Sequence, residues 1–231
     1  MARNLHSDND QAMESHQRAT LVRRLLLKWF RSSGRSFYWR ENRDPYVVLV
    51  SELLLKKTAA PVVDRFLPAF LKRFPDFASL SRARHATLVR ILQPLGLSDQ
   101  RAGQLRALAQ AISGSKDGCV PATRQDLLAL PGVGEYTANS LLCVSFGQAV
   151  PVVDTNVARI VMRAFGIGHS RCEARRSPEI WGLAADITGN VPTRAVEVNW
   201  ALLDLGANVC TARTPRCRDC PVSSICRSSN T

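Results

Sequence analysis

Apolar residues recur at helical spacing along most of this chain, and no convincing period-two alternation appears anywhere. From Arg18 to Phe30, the residues Leu21, Val22, Leu25, Leu26, Trp29 and Phe30 form one stripe, with Arg23, Arg24, Lys28 and Arg31 largely off it. The spacing predicts an amphipathic helix there, after a polar segment 1–17 that reads as a flexible, frayed N-terminus. A loop with Gly34 follows. Asp44-Pro45 then announces a second helix, with Asp as N-cap and Pro in the first turn. Its run from Tyr46 to Leu55 is apolar almost all round, which predicts a buried helix. Further helices fit 60–73, 85–92 and 99–113. Thr123-x-x-Asp126 reads as a capping box opening a short helix through Leu130. Pro131-Gly132-Val133-Gly134 makes a tight turn into another helix, to about Phe146. After Asp154, the residues Val157, Ile160, Val161 and Ala164 give an i, i+3, i+4, i+7 stripe. Helices near 178–188 and 194–205 lead into a cysteine-rich tail. The pattern predicts an all-α fold, without long repeats or low-complexity tracts.

Composition narrows the picture. A chain of 231 residues suffices for one large domain or two small ones, and 45% hydrophobic with 22% charged residues reads as soluble and globular. No apolar run approaches the length that crosses a bilayer, so no membrane partner is expected. The first twenty residues mix acids with bases and lack a secretory apolar region. Cys119, Cys143 and Cys172 are scattered, which argues against a disulfide framework and for a reducing, intracellular, cytoplasmic setting. The formal net charge of +12 and the pI of about 10.1 are compatible with a generally basic surface. They fit better an affinity for nucleic acid phosphates.

Six features carry candidate chemistry. Cys210, Cys217, Cys220 and Cys226 are spaced C-x6-C-x2-C-x5-C in a tail rich in Arg and Pro, including Arg213 and Arg216. Four thiolates so close can hold Zn²⁺ or a [4Fe–4S] cluster. Only Cys217 and Cys220 make a zinc-type knuckle, and the wider gaps favour the bulkier cluster. Leu130-Pro131-Gly132-Val133-Gly134-Glu135-Tyr136-Thr137-Ala138 has the form of a helix–hairpin–helix. Its glycines open backbone conformations closed to other residues, and the first amides of the second helix can meet a phosphate. An ordinary helix–helix turn also favours glycine. A monovalent cation on the hairpin carbonyls is compatible with this turn. Asp154 reads as a helix N-cap, and also as an anion suited to an oxocarbenium-like transition state. Glu52 lies within an apolar helix, either paired with an arginine or poised to donate a proton. Lys56-Lys57-Thr58 ends that helix. Leu97, in Leu95-Gly96-Leu97, is a core residue or an apolar wedge for DNA.

Together these pieces resemble the endonuclease III-like helix–hairpin–helix DNA glycosylases with an iron–sulfur cluster. The resemblance runs from about Phe37 to Cys226. It is carried by Trp39-Arg40-Glu41-Asn42-Arg43-Asp44-Pro45-Tyr46, Val50-Ser51-Glu52-Leu53-Leu54-Leu55-Lys56-Lys57-Thr58, Gly96-Leu97-Ser98-Asp99-Gln100-Arg101-Ala102, the hairpin, Val153-Asp154-Thr155-Asn156-Val157-Ala158-Arg159 and the four cysteines. It implies a six-helix domain over 45–150 and a terminal-helix lobe, 18–44 plus 151–231, whose four cysteines bind the [4Fe–4S] cluster. It also implies a nucleoid-associated monomer acting on double-stranded DNA that contains a mismatched or damaged base. In endonuclease III-type members a Schiff-base lysine stands where this chain has Tyr136. Adenine glycosylases often carry Tyr there, but they usually add a lesion-reading C-terminal domain that this chain, stopping at Thr231, is expected to lack. Compact thymine–DNA mismatch glycosylases share the basic pair before the threonine, the Gly-Leu-Ser-x-Gln-Arg-Ala run and the tyrosine.

By that likeness Glu52, Tyr136 and Asp154 form the active site. Lys56, Lys57, Leu97, Gln100, Arg101, Gly132, Val133, Gly134, Arg213 and Arg216 contact DNA. The expected activity is excision of T or U opposite G, without strong strand cleavage. An adenine-excising enzyme and a non-catalytic iron–sulfur DNA-binding protein are the alternatives.

Overall fold

Helices form where the apolar stripes predict them. The structure, a computed structural model, describes residues 2–168 and 171–229. The segments 1–17 and 151–231 read from the sequence each include a few residues outside that set. The helices are α1 (Ala2–Ser33), α2 (Pro45–Leu55), α3 (Ala60–Arg73), α4 (Phe77–Ser81), α5 (His85–Leu92), α6 (Ser98–Ser113), α7 (Arg124–Ala129), α8 (Glu135–Val144), α9 (Thr155–Phe165), α10 (Arg171–Ala174), α11 (Pro178–Thr188) and α12 (Pro192–Asn208). No strand occurs among the described residues, and no helix among them is long and apolar enough to cross a membrane.

Two departures have local causes. The first helix carries its stripe from Arg18 onward but begins at Ala2. Once an anchored segment has nucleated a helix, each added residue gains a hydrogen bond, so polar residues can extend it. The short α4 is absent from the sequence reading because five residues cannot display a period. It is set by Asp76, whose carboxylate accepts from the Ser79 amide at 2.6 Å while Ser79 bonds back, a reciprocal cap with Ser in the place of Glu or Gln.

The chain divides into two compact units, residues 36–146 and residues 1–35 with 147–231. In the first, the hairpin unit, α2 packs on α3 and α8, and α6 on α4 and α5. Tyr46 through Ser51 are buried along α2. Residues 36–44, expected with the terminal lobe, belong here. Phe37 is buried and stacks on Trp39 at 4.6 Å, and the Tyr38 amide donates to Asp64 of α3 at 2.7 Å. In the second, the terminal unit, α1, α9, α11 and α12 surround a core that includes Val22, Leu26, Val157, Ile160, Val161, Ile187, Leu202 and Leu205. Asp204, fully buried on α12, accepts from the Arg35 amide at 2.8 Å and from the Arg35 guanidinium at 2.7 and 2.8 Å.

Candidate active site

In the terminal unit, an extended segment delivers Asp154 to the start of α9. Asn199 on α12 holds that segment. Its carbonyl accepts from the Val152 amide at 3.0 Å and its amide donates to the Val150 carbonyl at 2.9 Å. Asp154 then caps α9. One carboxylate oxygen accepts from the Asn156 and Val157 amides at 2.8 Å each, and the other accepts from the Asn156 side-chain amide at 2.8 Å. Three N–H donors thus fix one partly buried carboxylate at the positive end of an 11-residue helix.

In the hairpin unit, α2 carries Glu52, partly buried, whose Oε1 accepts from the Ser140 hydroxyl of α8 at 2.5 Å. The same helix α8 carries Tyr136, partly buried in its first turn. The hairpin itself connects α7 to α8. Gly132 sits at φ +78, where an L side chain is strained, whereas Gly134 is extended, a conformation open to any residue. A Cβ at Gly134 would meet no atom within 4 Å, so the mouth of α8 faces open space there. Val133, expected against DNA, is buried, and its amide donates to the Leu130 carbonyl at 3.1 Å. The first amides of α8 are the ones a helix leaves without an internal partner.

Two basic residues have different placements from those expected. Lys56 directs its ammonium to the Gly132 carbonyl at 2.6 Å, on the hairpin whose carbonyls are compatible with a monovalent cation. Burial pulls its pKa below the ordinary lysine value, against the opposing pull of the Glu52 carboxylate. Arg101, expected as a DNA contact, is 4% exposed and spends its guanidinium on the protein. Nε donates to the Gly96 carbonyl at 2.9 Å, Nη1 to the Leu53 and Leu54 carbonyls at 3.0 Å each, and Nη2 to the Lys56 carbonyl at 2.6 Å and to Thr58 Oγ1. Leu97 does stand out: it is 51% exposed in a left-handed conformation. Lys57 and Gln100 are exposed on the same unit.

The tail brings Cys210, Cys217, Cys220 and Cys226 around one open pocket. Arg163 of α9 closes its side, donating to Cys210 Sγ at 3.3 Å and to the Thr211 and Ala212 carbonyls. Among the described residues, no three His, Cys, Asp or Glu side chains are set to hold a single metal ion. Burial pushes the Cys220 thiol up to about 11, and the other three cysteines add to the rise. A group that takes four thiolates must supply positive charge to offset that repulsion. Arg213 is exposed, while Arg216, which lines this pocket, bonds the Asn208 carbonyl and lies 3.7 Å from Asp219.

Residues 50–182 match the family model described as HhH-GPD superfamily base excision DNA repair protein. The chain belongs to the HhH-GPD superfamily. A thymine-DNA glycosylase of Aeropyrum pernix is 37% identical over 90% of this chain and 94% of its own. An adenine DNA glycosylase of Mycobacterium tuberculosis is 40% identical over 85% of this chain, which spans 64% of that protein. A solved thermostable thymine-DNA glycosylase superposes with a TM-score of 0.85 at 31% identity, covering 92% of this chain and 97% of its own. This HhH-GPD member also holds contacts around the candidate residues that sequence reading missed. Ser140 reaches Glu52 from 88 positions away, and Asn199 reaches Val152 from 47. No local pattern marks such pairs.

Proposed function

We propose that this chain is a monofunctional DNA glycosylase that hydrolyses the N-glycosidic bond of T or U mispaired with G in duplex DNA. The observation that carries the reading is Asp154, a carboxylate fixed by three donors at a helix mouth in a protein of this superfamily. Departure of the base leaves positive charge at the sugar C1′, and a fixed anion stabilises that charge without reorganising. Water then forms the new C1′–O bond and gives up a proton. Glu52, oriented by Ser140, is the group assigned to move that proton or to protonate the leaving base. Tyr136 can hydrogen-bond the extruded nucleotide, but a phenol forms no Schiff base, so strand cleavage by β-elimination is not expected. Leu97 is assigned to fill the space of the extruded base. Lys57, Gln100, Gly132, Gly134, Arg213 and Arg216 are assigned to the phosphates. Lys56 takes its place at the hairpin carbonyl instead.

The reading includes a [4Fe–4S] cluster on Cys210, Cys217, Cys220 and Cys226. The shared pocket, the donor set and the spacing support it. When bound, the cluster would supply a charged cross-link holding the tail. The test of function is turnover on a panel of duplexes. Excision of T and U opposite G, with A opposite G or 8-oxoguanine left intact, supports the proposal. Adenine excision would transfer the chain to the adenine-excising group, and no turnover on any duplex would overturn the enzymatic reading.

A further inference from the structure

Lys57 and Leu97 are the non-glycine residues with positive φ among those described, at 58° and 49°. Each such residue costs about 1–2 kcal/mol and persists only where the surroundings over-determine it. Arg101 bonds the carbonyl immediately before each of them, that of Lys56 and that of Gly96. Its remaining donors take the Leu53 and Leu54 carbonyls, at the end of α2 where a helix lacks internal partners, and the Thr58 hydroxyl. All five guanidinium N–H groups are thereby used, on two loops and one helix end. Thr58 adds a bond to the Leu95 carbonyl at 3.2 Å.

We infer that Arg101 is a positioning residue that locks the exposed Leu97 tip to the end of the Glu52 helix, so that wedge and acid act as one rigid piece. The inference rests on the glycosylase reading. It reassigns Arg101 from the DNA surface to the preorganisation of that surface. A planar fork with five donors can satisfy all five of these acceptors at once; a lysine ammonium with three donors cannot. An exposed leucine held in a left-handed conformation gains nothing for folding from being held so. Presented to DNA, a rigid tip unstacks a base at a lower ordering cost than a mobile one.

The experiment compares wild type with Arg101→Lys, and with Thr58→Val as a milder variant that removes one acceptor. Three quantities are read on each: amide hydrogen exchange at 57–58 and 97–99, fluorescence of a 2-aminopurine placed at the flipped position, and the single-turnover excision rate against duplex affinity. For Arg101→Lys, exchange at both loops should rise together. The 2-aminopurine signal and the excision rate should fall by about tenfold, while affinity for matched duplex and its salt slope stay as in wild type. Leu97→Ala should lower the excision rate similarly, and the double variant Arg101→Lys with Leu97→Ala should be no slower than Leu97→Ala alone, as expected for groups acting as a unit. Thr58→Val should show a smaller change of the same kind, and it decides the matter if Arg101→Lys fails to fold. Wild-type exchange and rate in a folded Arg101→Lys would overturn the inference, as would a salt slope reduced by about one, the mark of a lost phosphate contact. A wild type that excises nothing would sink the glycosylase reading instead, while the exchange and fluorescence measurements still decide the role of Arg101.

Discussion

Asp154 shows how one side chain can serve fold and chemistry together. The cap needs an oxygen that accepts from the Asn156 and Val157 amides; the proposed chemistry needs a negative charge. Asp154→Asn separates the two, because asparagine caps a helix about as well as aspartate. The variant should fold normally and bind a G·T duplex as wild type does, with excision reduced by about a hundredfold or more in single-turnover assays. Gly132→Ala tests a different property. A Cβ at φ +78 meets no hard contact, the nearest atom being Leu53 Cδ2 at 3.7 Å, so the cost is backbone strain alone. Urea denaturation should show a loss of about 1–2 kcal/mol. Both residues were legible in sequence, since proline, glycine and caps act on their chain neighbours. Arg101 and Ser140 were not. A motif suggests that a residue matters, but only the fold tells whether it faces a ligand or holds something that does.

At the scale of elements, the long amphipathic helices were legible because their stripes repeat over three turns or more, as in α9. Element ends and the five-residue α4 were not, since capping partners there are read only in space. The junction after α1 is tied to α12 by the pair of Arg35 and Asp204. Arg35→Ala removes the cationic partner of Asp204, which is fully buried on α12, and should cost about 3–5 kcal/mol in equilibrium unfolding. Replacing both residues by apolar ones of similar size should recover much of that loss. The first turn of α8 bears on product chemistry. With Tyr136 in place of an amine, product strands should remain full length until treated with alkali, and borohydride should trap no covalent complex. Prompt trapping in the unmodified protein would turn attention to Lys56, whose pKa burial lowers.

For the molecule as a whole, a net charge of +12 predicts duplex binding that weakens steeply with salt, through release of counterions from the phosphates. Affinity that stays flat from low to high salt would contradict it. Iron and sulfide analysis of anaerobically prepared protein should find a cluster, and stoichiometric zinc without iron would refute that assignment. The terminal unit also joins the two ends of the chain, with α1 packed on α11 and α12 and residues 36–146 between. During synthesis the ribosome releases α1 before α11 and α12, with its stripe of Val22 and Leu26 uncovered, and must make the whole continuous hairpin unit before those partners exist. The nascent chain therefore exposes an apolar helix for several seconds or more at ordinary elongation rates. That interval makes α1 the segment on which a chaperone would act.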